Sequence, residues 1–151
     1  MTAQSIRNFK PLQQAQSHWE QAMAYAPDCF RHLQLASGEP LWREGDPANS
    51  AGLVLSGKLS LKKQLQNSNS QLVMGVCGVN CILGEAGLLE GRMREESAVA
   101  LEPSLVAMIS RDDFLRLSIY HADIAQEFML EMLGSLQDRL VGAVSRLTTI
   151  F

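Results

Sequence analysis

The residues of this chain with the clearest chemical potential lie in one segment near its middle, LGEAGLLEGRMREESAV (83–99). The pair Gly84–Glu85 opens a short apolar turn, and glycine there allows a tight turn whose backbone N–H groups can face an anion. Arg94 follows ten residues after the glycine and is a suitable partner for a phosphate. Glu95 and Glu96 come next, where an anion would need hydroxyl or N–H donors. The segment therefore predicts an anion site that carries opposing charge.

Other kinds of chemistry find little support in the sequence. The cysteines are few and irregularly placed and the histidines are dispersed: Cys29, Cys77, Cys81, His18, His32 and His121. Three thiols are too few for typical iron–sulfur ligation, and an odd, sparse count argues against a disulfide scaffold, so we expect separate thiols in the core. Haem ligation by His32 or His121 is an alternative. No nucleophile–base pair or G-x-x-x-x-G-K loop is present, so neither an enzyme nor a metal site is predicted.

Composition limits the class of protein further. The chain has 151 residues, the usual size of one domain, and 46% of them are hydrophobic, which suits an ordinary core. A net charge of −3 makes the chain a poor match for nucleic-acid phosphates. The N-terminus lacks the apolar stretch of a secretory signal, and no run reaches the roughly 18 apolar residues that span a membrane. We therefore expect a soluble, cytoplasmic, single-domain protein.

Periodicity divides the chain into three parts. Residues 1–34 are predicted as a helical N-terminal segment, with helix over 13–34 and a break near Pro27. Residues 35–118 contain short segments, several with alternating apolar and polar residues, separated by Gly, Pro, Asn and Ser. This pattern is typical of an antiparallel sandwich or barrel. Residues 119–151 are predicted to form a final helix.

The final helix, which is predicted to begin at about His121, carries a regular apolar seam. Apolar residues recur at alternating spacings of four and three, an a/d pattern over three heptads: Met129, Leu133, Leu136, Leu140, Ala143, Leu147 and Ile150. One interpretation is an amphipathic helix that lies on the chain's own β-core. A terminal helix with so regular a seam more often pairs with a partner helix, so a homodimer is predicted.

The turn glycines and the charged segment together resemble a known family. The stretches SGEPLWREGDPANSAGLVLSGKLSL (37–61) and 83–117 are similar to the cyclic nucleotide-binding domain of the catabolite activator and Fnr-like regulators. The resemblance extends over about residues 30–140, and the glycines at the family's turn positions are Gly38, Gly45, Gly57 and Gly84. It implies a mainly β fold with flanking helices: a double-stranded β-helix (jelly roll) followed by a C-terminal dimerisation helix.

The resemblance also implies a ligand site. In that family, a Gly-Glu pair starts a small helix at the cyclic phosphate. The Glu accepts a hydrogen bond from the ribose 2′-hydroxyl, and an Arg pairs with the phosphate. Carried over to this chain, the ligand-binding positions are Gly84, Glu85, Ala86, Arg94, Glu95 and Ser97. The implied ligand is cAMP or cGMP.

Two positions depart from the family pattern. Glu95 stands where a Ser or Thr is usual, and Glu96 stands where a small residue is usual. The segment from Glu85 to Glu96 contains four glutamates and two arginines, so its net charge is −2. Three interpretations are open: a degenerate pocket in which Arg94 pairs with one of the two carboxylates, a working nucleotide pocket, and an exposed loop. Arg92 is an alternative candidate for the inward arginine.

The end of the chain bears on specificity and on partners. Bacterial members recognise the base edge with polar groups of the final helix, but the corresponding stretch here, 141–144, has neither hydroxyl nor amide. Adenine selectivity through such groups is not expected. No basic recognition helix follows, so DNA binding by these residues is not predicted. The leading hypothesis is a non-enzymatic sensory module in which a cyclic nucleotide acts on a dimer helix. The alternative is a dimerisation or interaction scaffold with a vestigial pocket.

Overall fold

The computed structural model describes residues 18–150, which form two main β-sheets with flanking helices. The helices are α1 (His18–Tyr25), α2 (Arg111–Tyr120) and α3 (Ala122–Ile150). The strands are β1 (Phe30–Leu35), β2 (Pro40–Trp42), β3 (Pro47–Ala48), β4 (Ser50–Ser56), β5 (Leu59–Gln64), β6 (Gln71–Cys77), β7 (Ile82–Leu83), β8 (Arg92–Met93), β9 (Ser97–Ala100) and β10 (Ser104–Ser110). Short 3₁₀ helices cover Pro27–Cys29 and Glu85–Leu88. The predicted fold class, a β-roll with flanking helices and a C-terminal helix, is confirmed.

The two sheets enclose the interior of the roll. One sheet has the strand order β1-β10-β4-β7, the other has the order β2-β9-β5-β6, and β3 pairs with β8. Between the sheets lies a core that includes Leu35, Trp42, Val54, Leu59, Cys77, Leu83 and Val106. Strand β7 matters most for the site, because it pairs with the central strand β4 and leads directly into Gly84.

A second core joins the helices to the outside of the first sheet. It is built around the aromatic side chains Trp19, Phe30, Phe114 and Phe128. The rings of Trp19 and Phe128 have centroids 4.2 Å apart in a tilted arrangement, which is favourable for aromatic pairs. This cluster fixes the first half of α3 against the roll and so sets the direction in which the rest of α3 extends.

The predicted N-terminal helix continues too far along the chain. Helix α1 ends at Tyr25, and the residues after Pro27–Cys29 form β1, so the prediction of helix through residue 34 is wrong. Strand β1 pairs along its whole length with β10. This long-range pairing overrides the local apolar spacing that suggested a helix. Residues 1–17 of the predicted N-terminal segment lie outside the described residues.

Helix α3 starts one residue after the predicted start, and the large side chains of its apolar seam are exposed. Its buried residues, Ala125, Phe128 and Met132, all lie in its first half. Among the seam residues, Leu133 is 62% exposed and Leu140 is 58% exposed. These exposed fractions do not favour a seam buried on the chain's own β-core.

Cys77 and Cys81 form a disulfide, which corrects the expectation of separate core thiols. Cys77 ends β6 and Cys81 lies just before β7, so the fold brings together two residues whose four-residue separation gave no such signal. Cys29 is a free cysteine. In the part of the chain that the structure describes, no helix is long and apolar enough to cross a membrane. Residues 18–150 also hold no metal-binding cluster of three or more His, Cys, Asp or Glu side chains.

Candidate functional site

The turn that was predicted to bind an anion is formed by Gly84 and a short 3₁₀ helix. Gly84 has a φ of +70° in the left-handed region, which L side chains rarely adopt, and the 3₁₀ helix Glu85–Leu88 follows it. The Gly87 N–H donates to the Gly84 carbonyl oxygen at 2.9 Å. Gly87 packs so closely on the backbone of Ser50 that a Cβ would collide with it. The turn is thereby fixed against β4 in the middle of the first sheet.

Arg94 is the inward arginine of the segment, and Arg92 is exposed. The Arg94 side chain is buried, and its guanidinium carbon lies 3.7 Å from the centre of the Trp42 ring. Its Nη1 donates to the Gly84 carbonyl oxygen at 3.2 Å, and its Nη2 donates to Ser50, at 2.8 Å to the carbonyl oxygen and 3.0 Å to Oγ. The exposed-loop interpretation, and the alternative with Arg92 inward, are therefore wrong.

The electrostatics of Arg94 follow from this burial. Desolvation lowers the pKa of Arg94 to about 10, and the charge of Asp46 opposes the shift. The oxygens that accept its hydrogen bonds belong to Gly84 and Ser50 and are neutral. Within residues 18–150 there is no ion pair of Arg94 with Glu95 or Glu96, so the expected closure of the pocket by such a pair is wrong.

A different ion pair closes the site, between Glu85 and Arg139 of α3. The Glu85 side chain is only 15% exposed, and burial lowers the pKa of Arg139. Arg139 was not predicted as a site residue, because it is a charged residue between apolar seam positions. Its spacing of three residues after Leu136 was the available signal, since residues three apart lie on one helix face. The pair connects the anion-binding turn to the C-terminal helix.

These elements enclose a cavity of about 190 Å³. The residues that line it are Trp42, Ala48, Gly84, Glu85, Ala86, Met93, Arg94, Glu95, Glu96, Leu136 and Arg139. Five of the six residues that the sequence predicted for ligand binding thus meet around one cavity. Helix α3 contributes Leu136 and Arg139 to the lining, whereas none of residues 141–144 is part of it.

Ser97 does not face this cavity. Its Oγ accepts a hydrogen bond from the Glu44 N–H at 2.9 Å, and its side chain lines a separate cleft on the other side of the second sheet. Ser97 begins β9, and successive side chains of a strand point to opposite faces of a sheet. In this structure Ser97 therefore organises the β2-β9 edge of the roll.

The two carboxylates of the segment differ in environment. Glu95 is exposed and Glu96 is half-buried. The Glu96 backbone carbonyl accepts a hydrogen bond from Trp42 Nε1 at 3.0 Å, and the Glu95 carbonyl accepts one from Lys63 Nζ at 2.8 Å. Burial raises the pKa of Glu96, Lys63 opposes this shift, and Glu95 and Glu44 add to it. A bound anion in the cavity would meet the same desolvation and would also be repelled by Glu95.

Replacing Glu96 with glutamine is expected to stabilise the fold at neutral pH. A carboxyl whose folded pKa is raised contributes its full stability below the unfolded pKa and loses it as the pH rises through the folded value. Glu96 has its pKa raised above 4.5, so Glu96→Gln should raise Tm at pH 7 by about a few degrees. The gain should vanish near pH 4. Thermal unfolding at both pH values checks this, with Glu102→Gln as an exposed control outside the cavity. An equal gain at both pH values would contradict it.

Gly84→Ala is expected to destabilise the protein more than Gly91→Ala, although the two glycines have nearly the same φ, +70° and +71°. Alanine in this left-handed region costs about 1–2 kcal/mol at either position. At Gly84 the added Cβ would also lie 2.5 Å from Arg94 Nη1 and 2.5 Å from Trp42 Cη2, whereas at Gly91 no neighbouring atom of the described chain lies within 4 Å. This overpacking should cost roughly a further 1–3 kcal/mol in the free energy of unfolding. Urea unfolding measures the loss of unfolding free energy in both variants. Equal losses would show that the contact of the added Cβ with Arg94 and Trp42 does not destabilise the protein.

Two curated relatives show partial similarity to the chain. It is 30% identical over 88 residues to the cyclic AMP receptor protein of Thermus thermophilus, a match that covers 58% of this chain and 40% of that protein. It is 34% identical over 96 residues to the lysophospholipase NTE1 of Kluyveromyces lactis, a match that covers 61% of this chain and 6% of that protein. The chain therefore spans less than half the length of either relative.

A solved structure and a family profile agree with this similarity. The crystal structure of a cyclic nucleotide-binding domain from Methylobacillus flagellatus superimposes with a TM-score of 0.79 at 23% identity, covering 87% of this chain and 73% of that one, and so has the same fold. The profile of the cyclic nucleotide-binding domain family matches residues 32–121, which are more than half of the chain and include the turn at Gly84 and Arg94. The chain therefore belongs to the cyclic nucleotide-binding domain family.

Proposed function

We propose that this domain is a regulatory sensor that binds a cyclic nucleotide, cAMP or cGMP, in the cavity around Arg94 and transmits binding to α3. Membership of the family supports the class of ligand. One observation carries the proposal: the turn at Gly84, the buried guanidinium of Arg94 and the helix residue Arg139 line the same cavity. A ligand in that cavity would contact both the roll and the helix.

The roll supplies the anion-binding end of the proposed site. The hydrogen bonds of Arg94 to Gly84 and Ser50, and its stacking on Trp42, fix the guanidinium before any ligand arrives. Such preorganisation lowers the entropy cost of binding. The cyclic phosphate would lie between this guanidinium and the backbone of the turn.

The helix supplies the coupling. A ribose hydroxyl that donates to Glu85 must share this carboxylate with Arg139, because the two side chains already form an ion pair. A ligand shifts a conformational equilibrium only by its difference in affinity for the two states. Competition at Glu85 provides such a difference, because it changes the contact that holds α3 against the turn. We therefore place the regulatory output of the domain on α3.

The exposed seam of α3 supports a homodimer as the partner state. An unpaired helix that exposes a row of large apolar side chains loses stabilisation that a second helix would provide. The proposed activity is binding without turnover. The match to the lysophospholipase NTE1 covers 6% of that protein, so its name gives no reason to expect lipid hydrolysis by this chain.

Calorimetric titration with cAMP and with cGMP tests the proposal. We expect saturable binding by the wild-type chain and by Arg92→Gln, which removes an exposed arginine two residues away. Arg94→Gln should weaken binding roughly tenfold to hundredfold, the value of one charge-assisted contact to a phosphate. The Tm should rise with ligand concentration, since ligand bound only to the folded state stabilises it.

The same titration can refute the proposal. No heat and no change in Tm at millimolar concentrations of either nucleotide would exclude a nucleotide sensor and favour a scaffold with a vestigial pocket. Equal weakening by Arg92→Gln and Arg94→Gln would show that the contribution is general positive charge and not the buried guanidinium.

A further inference from the structure

The disulfide between Cys77 and Cys81 joins the two halves of the roll next to the candidate site. Cys77 ends β6 in the second sheet, and Cys81 precedes β7 in the first sheet. Strand β7 consists of Ile82–Leu83, so Cys81 lies three residues before Gly84. Cys77 and Leu83 pack in the same core as Trp42, and Cys81 packs against that core.

The disulfide stabilises the fold less than a bridge that closes a long loop. It closes a loop across a sequence separation of only four residues, and the constraint that a disulfide places on the unfolded chain decreases as the loop becomes shorter. Backbone hydrogen bonds already hold the loop: the Asn80 N–H donates to the Val54 carbonyl at 2.9 Å, and the Val54 N–H donates to the Cys81 carbonyl at 3.0 Å. The bridge therefore adds a modest constraint to a loop that backbone hydrogen bonds already hold.

Opening the bridge would move one side of it more than the other. Two unbonded sulfurs require van der Waals separation, ~3.5–4 Å as for other heavy atoms, so reduction forces the two side chains apart. Cys77 is only 1% exposed and is surrounded by core residues, whereas Cys81 is half-buried at the surface. The displacement is therefore taken up by Cys81, and β7 transmits it to the Gly84 turn.

We propose that Cys77 and Cys81 are a reversible thiol–disulfide site that sets the position of the anion-binding turn. A low-molecular-weight disulfide such as oxidised glutathione would serve as oxidant. The Cys81 thiolate attacks one of its sulfurs and releases one glutathione thiolate. The Cys77 thiolate then attacks the Cys81 sulfur and releases the second. Two protein thiols are thereby oxidised to one disulfide, one small disulfide is reduced to two thiols, and the two protons go to solvent or to the released thiolates.

The half-buried position of Cys81 supports this direction of attack, because the first exchange requires access to solvent. Disulfides that form in reducing compartments are usually transient and redox-sensing. The position of the turn is the primary consequence of the switch. A change in nucleotide affinity on reduction is expected only if the proposed function is also correct.

The test equilibrates the full chain in glutathione buffers of graded potential and then alkylates free thiols for mass spectrometry. Cys29, a free cysteine, serves as an internal control that is alkylated throughout. Hydrogen exchange of the peptide covering 82–89 is measured in the oxidised and reduced states. We expect a reversible transition of two thiols and exchange in this peptide at least about fivefold faster after reduction.

Two variants make the test specific. Cys81→Ser, at the half-buried position, should show the faster exchange at every potential, and Cys29→Ser should behave as wild type. Faster exchange after reduction supports the switch. If neither the oxidised nor the reduced protein binds a nucleotide, only the proposed function fails. If both states bind equally and exchange in 82–89 is unchanged, the switch is refuted while the nucleotide site stands. A bridge that never forms refutes it as well.

Discussion

Replacing Glu95 with serine and Glu96 with alanine is expected to tighten the binding of cyclic nucleotide about tenfold to thousandfold. Both carboxylates line the cavity that contains Arg94. A carboxylate ~4 Å from a phosphate is repelled by ~1–4 kcal/mol, depending on the effective dielectric constant, and each 1.4 kcal/mol is a factor of ten. The serine also adds a hydroxyl donor. Calorimetry with cAMP and cGMP measures the change.

A control variant must alter the net charge of the protein by the same amount elsewhere. Glu102→Gln with Asp112→Asn removes two exposed carboxylates that do not line the cavity. It should leave the affinity nearly unchanged, because solvent and salt screen exposed charges that do not line the cavity. If both double variants gained equally, the effect would be one of total charge. If neither gained, the repulsion assigned to Glu95 and Glu96 would be absent.

Leu140→Glu is expected to convert the proposed dimer into monomers. Leu140 is central in the exposed seam of α3, and it would be buried twice in a symmetric pair of helices. Loss of two buried leucines costs about 3–6 kcal/mol, which weakens association by roughly a hundredfold to ten thousandfold, before the cost of burying two carboxylates is added. Sedimentation over a range of protein concentrations measures the shift.

Ser145→Glu provides the matched control. It adds the same charge to the same helix at an exposed position, two residues from the nearest seam residues Ala143 and Leu147 and so on the opposite helix face. This variant should sediment as the wild type does, and both variants should keep a folded roll, since neither side chain packs on it. A dimer that survives Leu140→Glu would refute the heptad assignment.

The sequence predicted the roll well because its signals were local. Turn glycines and short alternating segments mark hairpins through backbone sterics alone, and the long period of α3 marks a helix. The strand β1 was missed since its residues carry helix-compatible apolar spacing, and only its long-range pairing with β10 makes it a strand. The disulfide was missed for a different reason: Cys77 and Cys81 are four residues apart, and an odd, sparse cysteine count had argued against pairing.

For the site, the types of residue were predictable, but the partners were not. The resemblance located Gly84, Glu85 and Arg94, and the structure gathers them around one cavity. Charge counting suggested that Arg94 would pair with a neighbouring glutamate, yet its hydrogen bonds go to backbone and hydroxyl oxygens, and Glu85 pairs with Arg139 on a distant helix. Which charge meets which depends on the placement of α3 against the roll, and sequence spacing does not give that placement.

The contact between Trp42 and Arg94 gives the protein an optical reporter. The chain has two tryptophans, Trp19 and Trp42, and they lie in different core clusters. The guanidinium carbon of Arg94 lies 3.7 Å from the centre of the Trp42 ring. An anion that binds to this guanidinium therefore changes the electric field at the Trp42 indole. Trp19 is fully buried among the helices and supplies a constant background. Emission of the unlabelled chain can therefore follow occupancy of the arginine in real time after stopped-flow mixing.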